Sequence, residues 1–304
     1  MKQLTIYLFG ILLFAACSSE KKSKADDDED EPKKAAKHAS KDDLATASSY
    51  DSESDADDVI QFVKVAFQSP DSSMVTLSAE VPTKSGTPLA DSILAYLDQG
   101  IGNDFLRYYR QSTPQKAFRR AAENRLKTME REIDDLEADL KADWNDSISF
   151  PYHLLDWTSE QEFIKEYETD RFVTYVDRGY EYEGGAHGHH WLVGTTFDRK
   201  TGHRVGPEIL KNTDSKAFQK LLQEKLLEYF QPEEGESLSD YLLLTDEQQG
   251  LPVPGFRLTD KEFIFQYQLY EITNYAAGMP VVIIPIEQMR PFLTQEGLRL
   301  AGLQ

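Results

Sequence analysis

Cysteine and basic residues are the two scarce groups in this sequence of 304 residues. The single cysteine, Cys17, excludes an intrachain disulfide and any zinc module assembled from several cysteines. Lys and Arg number 33 against 53 Asp and Glu, which gives a net charge of -20. Proteins that bind nucleic acid need Lys and Arg to neutralise phosphates, so we expect no nucleic-acid partner.

Long hydrophobic runs are also missing, apart from one near the start. Leu4 to Ala16 is uncharged and mostly apolar, but it is shorter than the ~20 residues that a membrane-spanning helix needs. It follows Lys2 and ends just before Cys17, a pattern that is typical of secretion signals. We therefore predict a signal peptide over residues 1–16.

The end of this signal resembles a bacterial lipobox, in which small residues precede a cysteine that receives diacylglycerol before cleavage. The residues concerned are Leu13-Phe14-Ala15-Ala16-Cys17. The resemblance implies that Cys17 is the lipid attachment site and that the protein contacts the membrane through it. It also implies a place in the cell envelope, as an outer-membrane lipoprotein. The alternative is a buried free thiol in an uncleaved anchor.

An acidic segment follows over residues 17–58. Glu20 to Asp58 contains 14 acidic residues and seven lysines, and six consecutive acids occupy Asp26 to Glu31. With so few apolar side chains, this segment buries too little surface to offset the entropy of ordering, which predicts a disordered tether. One interpretation of the acid run is a solvated spacer. The other is a signal for surface exposure, because the run resembles the export signal of Bacteroidota surface lipoproteins.

The rest of the sequence alternates blocks of strand and helix patterns, which predicts an α+β fold with antiparallel sheets packed with helices. Residues 59–68 and 73–81 alternate apolar and polar side chains, as the two strands of a β-hairpin do. Thr87-Pro88 and Thr113-Pro114 are typical helix starts, with a hydroxyl cap followed by proline at the first helical position.

Strand patterns dominate from Ile148 onward, with two helices among them. One predicted helix begins at Asp214, and a closing helix covers residues 287–293. The change of pattern near residue 148 predicts two consecutive small domains, over 59–147 and 148–304. The predicted strands of the second domain lie over 172–183, 190–199, 256–258, 263–269 and 281–286.

Three stretches of the second domain resemble one family of extracytoplasmic domains. They are Tyr182 to Gly188 (YEGGAHG), Thr196 to Gly202 (TFDRKTG), and Phe256 to Gly278, which contains FRLTD, YEI and YAAG. They are similar to the C-terminal domain of the RsiV type, a domain of unknown function that also occurs in PdaC-type peptidoglycan deacetylases. The resemblance covers residues 172–293. Residues 59–146 are similar in pattern to the deacetylase-associated domain usually found upstream.

The resemblance implies a binding or sensing role outside the cytoplasm. The ectodomain of RsiV-type anti-sigma factors binds lysozyme, so the implied partner is a basic, lysozyme-like protein or a cell-wall component such as peptidoglycan. The acidic composition suits a basic partner, because opposite charge steers association. Neither an anti-sigma domain nor a deacetylase domain is recognisable, so we expect the binding module to act through a separate partner.

Catalytic motifs are absent from the sequence. There is no G-x-S-x-G nucleophile motif, no H-E-x-x-H pair, no P-loop and no dinucleotide fingerprint. A glycosidase pair could be drawn from the carboxylates of Asp156, Glu160, Glu181 and Glu183, but no spacing supports one. We therefore predict a protein without catalytic activity and without a cofactor. The alternative is a glycan-modifying envelope enzyme or its accessory domain.

Three histidines, His187, His189 and His190, lie close together after a pair of glycines. Neutral imidazoles bind zinc, but this segment offers too few other ligands to complete a site. We predict a tight turn with no bound metal, in which glycine permits the backbone angles. The structural turn glycines expected near the family motifs are Gly184, Gly185, Gly188, Gly202 and Gly278.

Aromatic residues near the family motifs are the candidate ligand-binding residues. Exposed Tyr and Trp side chains offer rigid contact area to a partner, whereas the alternative for each is ordinary sheet and core packing. Tyr270 to Tyr275 is favoured because its polar neighbours are typical of a loop. We expect this loop to lie close to the turn at His187. The predicted ligand-binding residues are Tyr182, His187, Trp191, Tyr270, Glu271 and Tyr275.

Overall fold

A computed structural model describes residues 60–70, 74–102, 104–144, 149–243 and 250–304. These ranges all belong to one compact unit, Ala56–Gln304. The predicted signal peptide, the lipid attachment site Cys17 and the acidic tether lie outside the described residues. None of the helices within the ranges above combines the length and apolar character that crossing a membrane requires.

The main sheet has six strands, which lie side by side in chain order. Its strands are β1 (Phe62–Gln68), β2 (Val75–Pro82), β3 (Thr158–Glu168), β4 (Phe172–Tyr182), β5 (His189–Asp198) and β6 (Arg204–Val205). A smaller antiparallel sheet contains β7 (Gly255–Leu258), β8 (Glu262–Gln266) and β9 (Val281–Pro285). The predicted α+β class and the first hairpin, β1 with β2, are confirmed.

The prediction of antiparallel sheets needs one correction, because β2 and β3 are parallel. Two parallel neighbours cannot be joined by a hairpin and need a long crossover connection. Here the crossover consists of three helices, α1 (Pro88–Ile101), α2 (Phe105–Tyr109) and α3 (Pro114–Ala142). Those helices cover one face of the six-stranded sheet.

Both predicted proline-marked helix starts are confirmed. The Thr87 hydroxyl accepts a hydrogen bond from the Ala90 backbone N–H at 3.2 Å, and the Thr113 hydroxyl accepts one from Lys116 at 3.4 Å. Each cap satisfies a donor that the first turn of a helix otherwise leaves without a partner.

The later helices differ in detail from the prediction. They are α4 (Lys216–Phe230), α5 (Ile286–Met289) and α6 (Gln295–Ala301). Ser215, one residue beyond the predicted Asp214, caps α4 through its hydroxyl, which accepts from the Phe218 backbone N–H at 3.3 Å. The predicted closing helix is the short α5 followed by a 3-10 turn, Arg290–Phe292, and α6 continues beyond it.

Two hydrophobic cores hold these layers together. The first lies between the six-stranded sheet and α1 to α3, where Leu97 and Phe118 of the helices meet Phe163 and Tyr175 of the sheet. The predicted division at residue 147/148 falls between β2 and β3, which pair in this sheet. The two predicted domains therefore share a sheet and a core.

The second core lies between the three-stranded sheet and the helices α4 to α6. The two sheets are joined through Leu258 of β7 and two threonines of the larger sheet. The Leu258 N–H donates to the Thr196 hydroxyl at 3.1 Å, and its carbonyl accepts from the Thr174 hydroxyl at 2.9 Å. This junction fastens β7 to β4 and β5.

Candidate functional site

The turn between β4 and β5, residues 183–188, forms a tip that only glycine accommodates at its centre. Gly184 and Gly185 have φ values of +79° and +107°, a region that side chains with a Cβ resist. The Tyr182 hydroxyl donates to the Gly185 carbonyl at 3.1 Å and holds the tip from within. Gly202 and Gly278 also have positive φ.

Gly188, at the end of the tip, lies against an aromatic ring and has no positive φ. A Cβ at this position would lie 2.1 Å from the ring of Tyr180, so the ring occupies the space that any larger residue would need. The missing Cβ allows the Tyr180 ring to lie against the backbone of the tip.

The loop after β8 is fastened to β5 before it reaches the tip. The Gln268 side chain accepts from the Leu192 backbone N–H at 3.2 Å and donates to the Leu192 carbonyl at 2.8 Å. The Glu271 carboxylate accepts from the Gln268 N–H at 2.8 Å, which closes the turn. Asn274 caps the following 3-10 turn, Tyr275–Ala277, through its side-chain oxygen. The loop is therefore held by hydrogen bonds along its length.

The tip and the loop meet at three side chains, His187, Tyr270 and Tyr275, which we name the rim cluster. The Tyr270 hydroxyl lies 3.1 Å from His187 Nε2, and the His187 and Tyr275 rings stack with centroids 4.1 Å apart. The Tyr275 hydroxyl donates to the Gly188 carbonyl at 3.1 Å. The predicted proximity of the loop and the tip is confirmed.

The His187 ring has a defined hydrogen-bonding arrangement. Its Nδ1 lies 3.1 Å from the Gly188 carbonyl, which only accepts, so Nδ1 carries a proton. In the neutral ring, Nε2 is then free to accept the proton of the Tyr270 hydroxyl. The imidazole therefore links the two segments through one donated and one accepted hydrogen bond.

Tyr270 has an unusual backbone conformation. Its φ is +63°, in the left-handed region that bulky residues avoid, while 53% of the residue remains exposed. Strain of this kind costs about 1–3 kcal/mol and persists only when surrounding contacts hold it. Here the contacts with His187 and Tyr275 keep the ring at the surface instead of in the core.

A groove of about 390 Å³ lies next to the rim cluster, on the face of the six-stranded sheet opposite α1 to α3. Register places side chains of β3, β4 and β5 in two rows across its floor. One row consists of Glu160, Tyr180 and His190, and the next consists of Glu162, Arg178 and Leu192. Met279 of the loop after β8 adds to the lining.

The groove combines aromatic and charged groups. The Tyr180 and His190 rings are 4.6 Å apart, and the Arg178 Nε–H donates to a Glu162 carboxylate oxygen at 2.7 Å. Among the described residues, the Glu160 carboxylate has no hydrogen-bond or ion-pair partner. Sequence analysis did not identify this groove, although Glu160 and Glu162, two apart on a strand, necessarily share a face.

Trp191 was predicted to bind ligand, but its side chain projects to the other face of the sheet. Its indole covers Gly179, where a Cβ would lie 2.2 Å from the ring, and its N–H donates to Asp177 at 2.9 Å. His189 lies on this face too, with its ring 6.1 Å from that of Trp191. Trp191 is therefore not brought to the rim cluster.

The opposite face carries a polar network around Arg125 of α3. The Arg125 guanidinium donates to Gln161 at 2.7 Å and to both Ser159 and Glu181 at 2.8 Å. Burial raises the pKa of Asp177, which accepts a hydrogen bond from Gln161. These contacts join α3 to the sheet.

Among the candidate glycosidase carboxylates, Glu160 lies apart from Glu181 and Glu183. Glu160 lies in the groove, whereas Glu181 bonds to Arg125 on the opposite face. Burial and the neighbouring Glu181 raise the pKa of Glu183, which is also on that side. Glu160 is thus separated from Glu181 and Glu183 by the sheet.

The histidines are also dispersed among different neighbours. His187 belongs to the rim cluster, His190 packs on Tyr180, and His203 Nε2 lies 3.2 Å from Glu208. Within the described ranges, no three His, Cys, Asp or Glu side chains converge as metal ligands would.

Comparison with known proteins identifies a family domain in the C-terminal part of the chain. Residues 208–287, which contain α4, the three-stranded sheet and the rim-cluster loop, match the model of DUF3298, a protein of unknown function. The tip lies upstream of the matched segment. No curated protein matches the chain.

Two crystal structures of DUF3298 family proteins are similar to this chain. One, from Bacteroides fragilis, has a TM-score of 0.62 at 20% identity and covers 81% of this chain and 97% of its own. The other, from Pseudomonas aeruginosa, has a TM-score of 0.47 at 15% identity, with 79% and 97% covered. The first shows that the described fold is shared with a DUF3298 protein.

Proposed function

We propose that this protein is an extracytoplasmic binding protein without catalytic activity, which captures its partner with the rim cluster. The observation that carries the proposal is Tyr270, an exposed aromatic ring held in a strained conformation by His187 and Tyr275. Strained residues concentrate at sites that bind ligands, and exposed tyrosines provide rigid anchors.

The partner we propose is a basic protein, of which a lysozyme-like protein is the first candidate and a cell-wall component the second. The net charge of -20 favours a cationic partner, and the exposed Glu271 carboxylate stands next to Tyr270. The resemblance to RsiV-type ectodomains supports the same class of partner. Association driven by this charge should weaken as salt screens it.

Titration of the purified full chain with lysozyme and with soluble peptidoglycan fragments tests the proposal. Tyr270→Ala or Tyr275→Ala should cost about 2 kcal/mol of binding free energy, because aromatic anchors dominate such surfaces. Tyr152→Ala is the matched control, since Tyr152 is 63% exposed and contacts Phe150 instead of the rim cluster.

A thermal melt of each variant accompanies the titration. Tyr270→Ala should melt close to the unsubstituted protein, because its ring is exposed. If it binds every probe normally, or if only the control weakens binding, the rim cluster is not the recognition surface.

Anchoring through Cys17 is the part of the proposal that concerns location. We propose that the protein is an outer-membrane lipoprotein. A further part of this proposal is that it is exposed at the cell surface. Cys17→Ala should leave the protein uncleaved or release it from the membrane fraction, since several acyl chains give stable anchoring. A variant that fractionates and migrates unchanged contradicts lipidation.

The competing function is a glycan-modifying envelope enzyme or its accessory domain. One observation favours it, namely that the carboxylates of Glu160 and Glu162 share the floor of a groove. Release of new sugar ends from peptidoglycan by the protein, but not by Glu160→Gln, would replace the binding proposal with this one.

A further inference from the structure

The groove beside the rim cluster has its own lining and its own chemistry. Its floor is built from β3, β4 and β5 of one sheet, whereas the rim cluster is built from the tip and the loop. We propose that this groove is a second binding site, and that it takes a small saccharide. The proposal stands on the groove alone and does not require the rim cluster to bind a protein.

The polar groups of the groove suit hydroxyl-rich ligands. The Glu160 carboxylate is an acceptor with no partner among the described residues, and Arg178 with Glu162 presents donors and acceptors side by side. A sugar ring offers neighbouring hydroxyls that both donate and accept. Planar carboxylate and guanidinium groups can bond to two such hydroxyls at once.

The apolar groups of the groove suit the carbon-bound face of a sugar. The Tyr180 and His190 rings lie 4.6 Å apart on the floor, and Leu192 and Met279 add aliphatic surface. The volume of about 390 Å³ falls within the range of ~300–1,000 Å³ that is typical of small-molecule sites. A ligand with one apolar and one polar side matches this combination.

Two other ligand classes fit the groove less well. A simple cation would meet the Arg178 guanidinium beside Glu162, and a simple anion would meet the free carboxylate of Glu160. A neutral saccharide avoids both repulsions, because its hydroxyls serve donors and acceptors equally.

The groove is also preformed, which lowers the entropic cost of binding. Its rows belong to three hydrogen-bonded strands, so their spacing is fixed by the sheet. The Tyr180 ring lies against Gly188, where no side chain intervenes, and beside the His190 ring. Few groups therefore need ordering when a ligand enters.

Saturation-transfer NMR and calorimetry with the purified full chain test the proposal directly. The probes are chitotetraose and cellotetraose, two neutral saccharides that differ in their N-acetyl groups, and a hexalysine peptide. At least one saccharide should bind in the micromolar to millimolar range, with its ring protons nearest the protein. Hexalysine should not displace it.

Glu160→Gln and His190→Ala separate this site from other surfaces. Both side chains are exposed, so neither substitution should disturb folding. Each should weaken saccharide binding about tenfold, as expected for loss of a charged hydrogen-bond acceptor or an aromatic contact. Glu130→Gln on the exposed side of α3 is the matched control and should bind as the unsubstituted protein does.

Three outcomes overturn the proposal. The first is that neither saccharide binds. The second is that hexalysine binds instead of the saccharides and that its binding depends on Glu160. The third is that neither groove variant changes saccharide binding. None of these readouts uses the lysozyme titration or Tyr270, so failure here is distinguishable from failure of the rim cluster as a protein-binding surface.

Discussion

At the scale of single residues, the tip depends on two adjacent glycines whose surroundings differ. A Cβ at Gly184 would lie 2.9 Å from the Leu154 carbonyl oxygen, whereas a Cβ at Gly185 would meet nothing within 4 Å. Both have positive φ, so alanine at either position should cost about 1 kcal/mol or more in backbone strain. Only at Gly184 does a backbone clash add to that strain.

Chemical denaturation of both variants should therefore rank them. We expect Gly184→Ala to lower the free energy of unfolding more than Gly185→Ala, and Gly185→Val to lower it by about 1 kcal/mol or more. Equal losses for the two alanine variants would show that strain alone limits these positions and that the Leu154 backbone moves away freely.

Single residues also show how far the site follows from the sequence. His187 and Tyr270 are predicted because both belong to family motifs in which aromatic and polar side chains stand beside glycines, and the structure brings them together. Trp191 was grouped with them, although alternation along β5 sends it and His190 to opposite faces. Local sequence gives that alternation but does not say which face the helices cover. The local sequence also does not predict the left-handed backbone conformation of Tyr270.

At the scale of elements, Asp198 joins the end of β5 to α6. Its carboxylate accepts from the Thr201 backbone N–H at 2.8 Å and contacts the Arg299 guanidinium. Burial by itself raises the pKa of Asp198, but the Thr201 N–H and Arg299 outweigh burial, so the pKa lies below its ordinary value. The charged form is thus favoured by folding.

The sign of the pH dependence follows from that lowered pKa. The stability contributed by Asp198 is fully present above the pKa of the unfolded state, about 3.9, and is lost as pH falls through the lower folded pKa. Asp198→Asn should lower the free energy of unfolding by about 1–3 kcal/mol at neutral pH. It should also flatten the decline of stability below about pH 4.

Urea denaturation at several pH values measures both effects. Asp170→Asn is the control, because the Asp170 side chain is 85% exposed and makes only a long contact of 3.8 Å with Arg171. An Asp198→Asn protein with unchanged acid sensitivity would show that other carboxylates dominate acid unfolding.

Elements with local signals were the ones that sequence predicted well. The proline-marked starts of α1 and α3 depend on neighbouring residues alone, as does the β1–β2 hairpin. The parallel pairing of β2 with β3 depends on residues about 80 positions apart, such as Val75 and Ser159, so no local pattern encodes it. The floor of the groove belongs to three consecutive strands, β3, β4 and β5, but Met279 of its lining comes from the distant loop after β8, and that contact has no local pattern.

At the scale of the whole molecule, the described chain is organised by cores that cross the predicted division at 147/148. Strand β2 pairs with β3, and the first core combines Phe118 from one side of the division with Phe163 and Phe197 from the other. Phe163 lies between helices and sheet with 1% exposure, and its ring makes an edge contact with Tyr96 at 5.8 Å. Neither segment encloses this core by itself.

We therefore expect a chain limited to residues 59–147 not to fold cooperatively. It would expose one side of β2 and lose the aromatic side chains that α1 and α3 pack against, including Phe163 and Tyr175. Exposing that apolar surface removes the main favourable term in folding.

Circular dichroism of this fragment should show no cooperative melt. Calorimetry of the full chain should instead show its core melting in one transition, with equal calorimetric and van't Hoff enthalpies. A sharp melt of the fragment would instead establish residues 59–147 as an independent domain, and the shared core would then be an interface between two folded units.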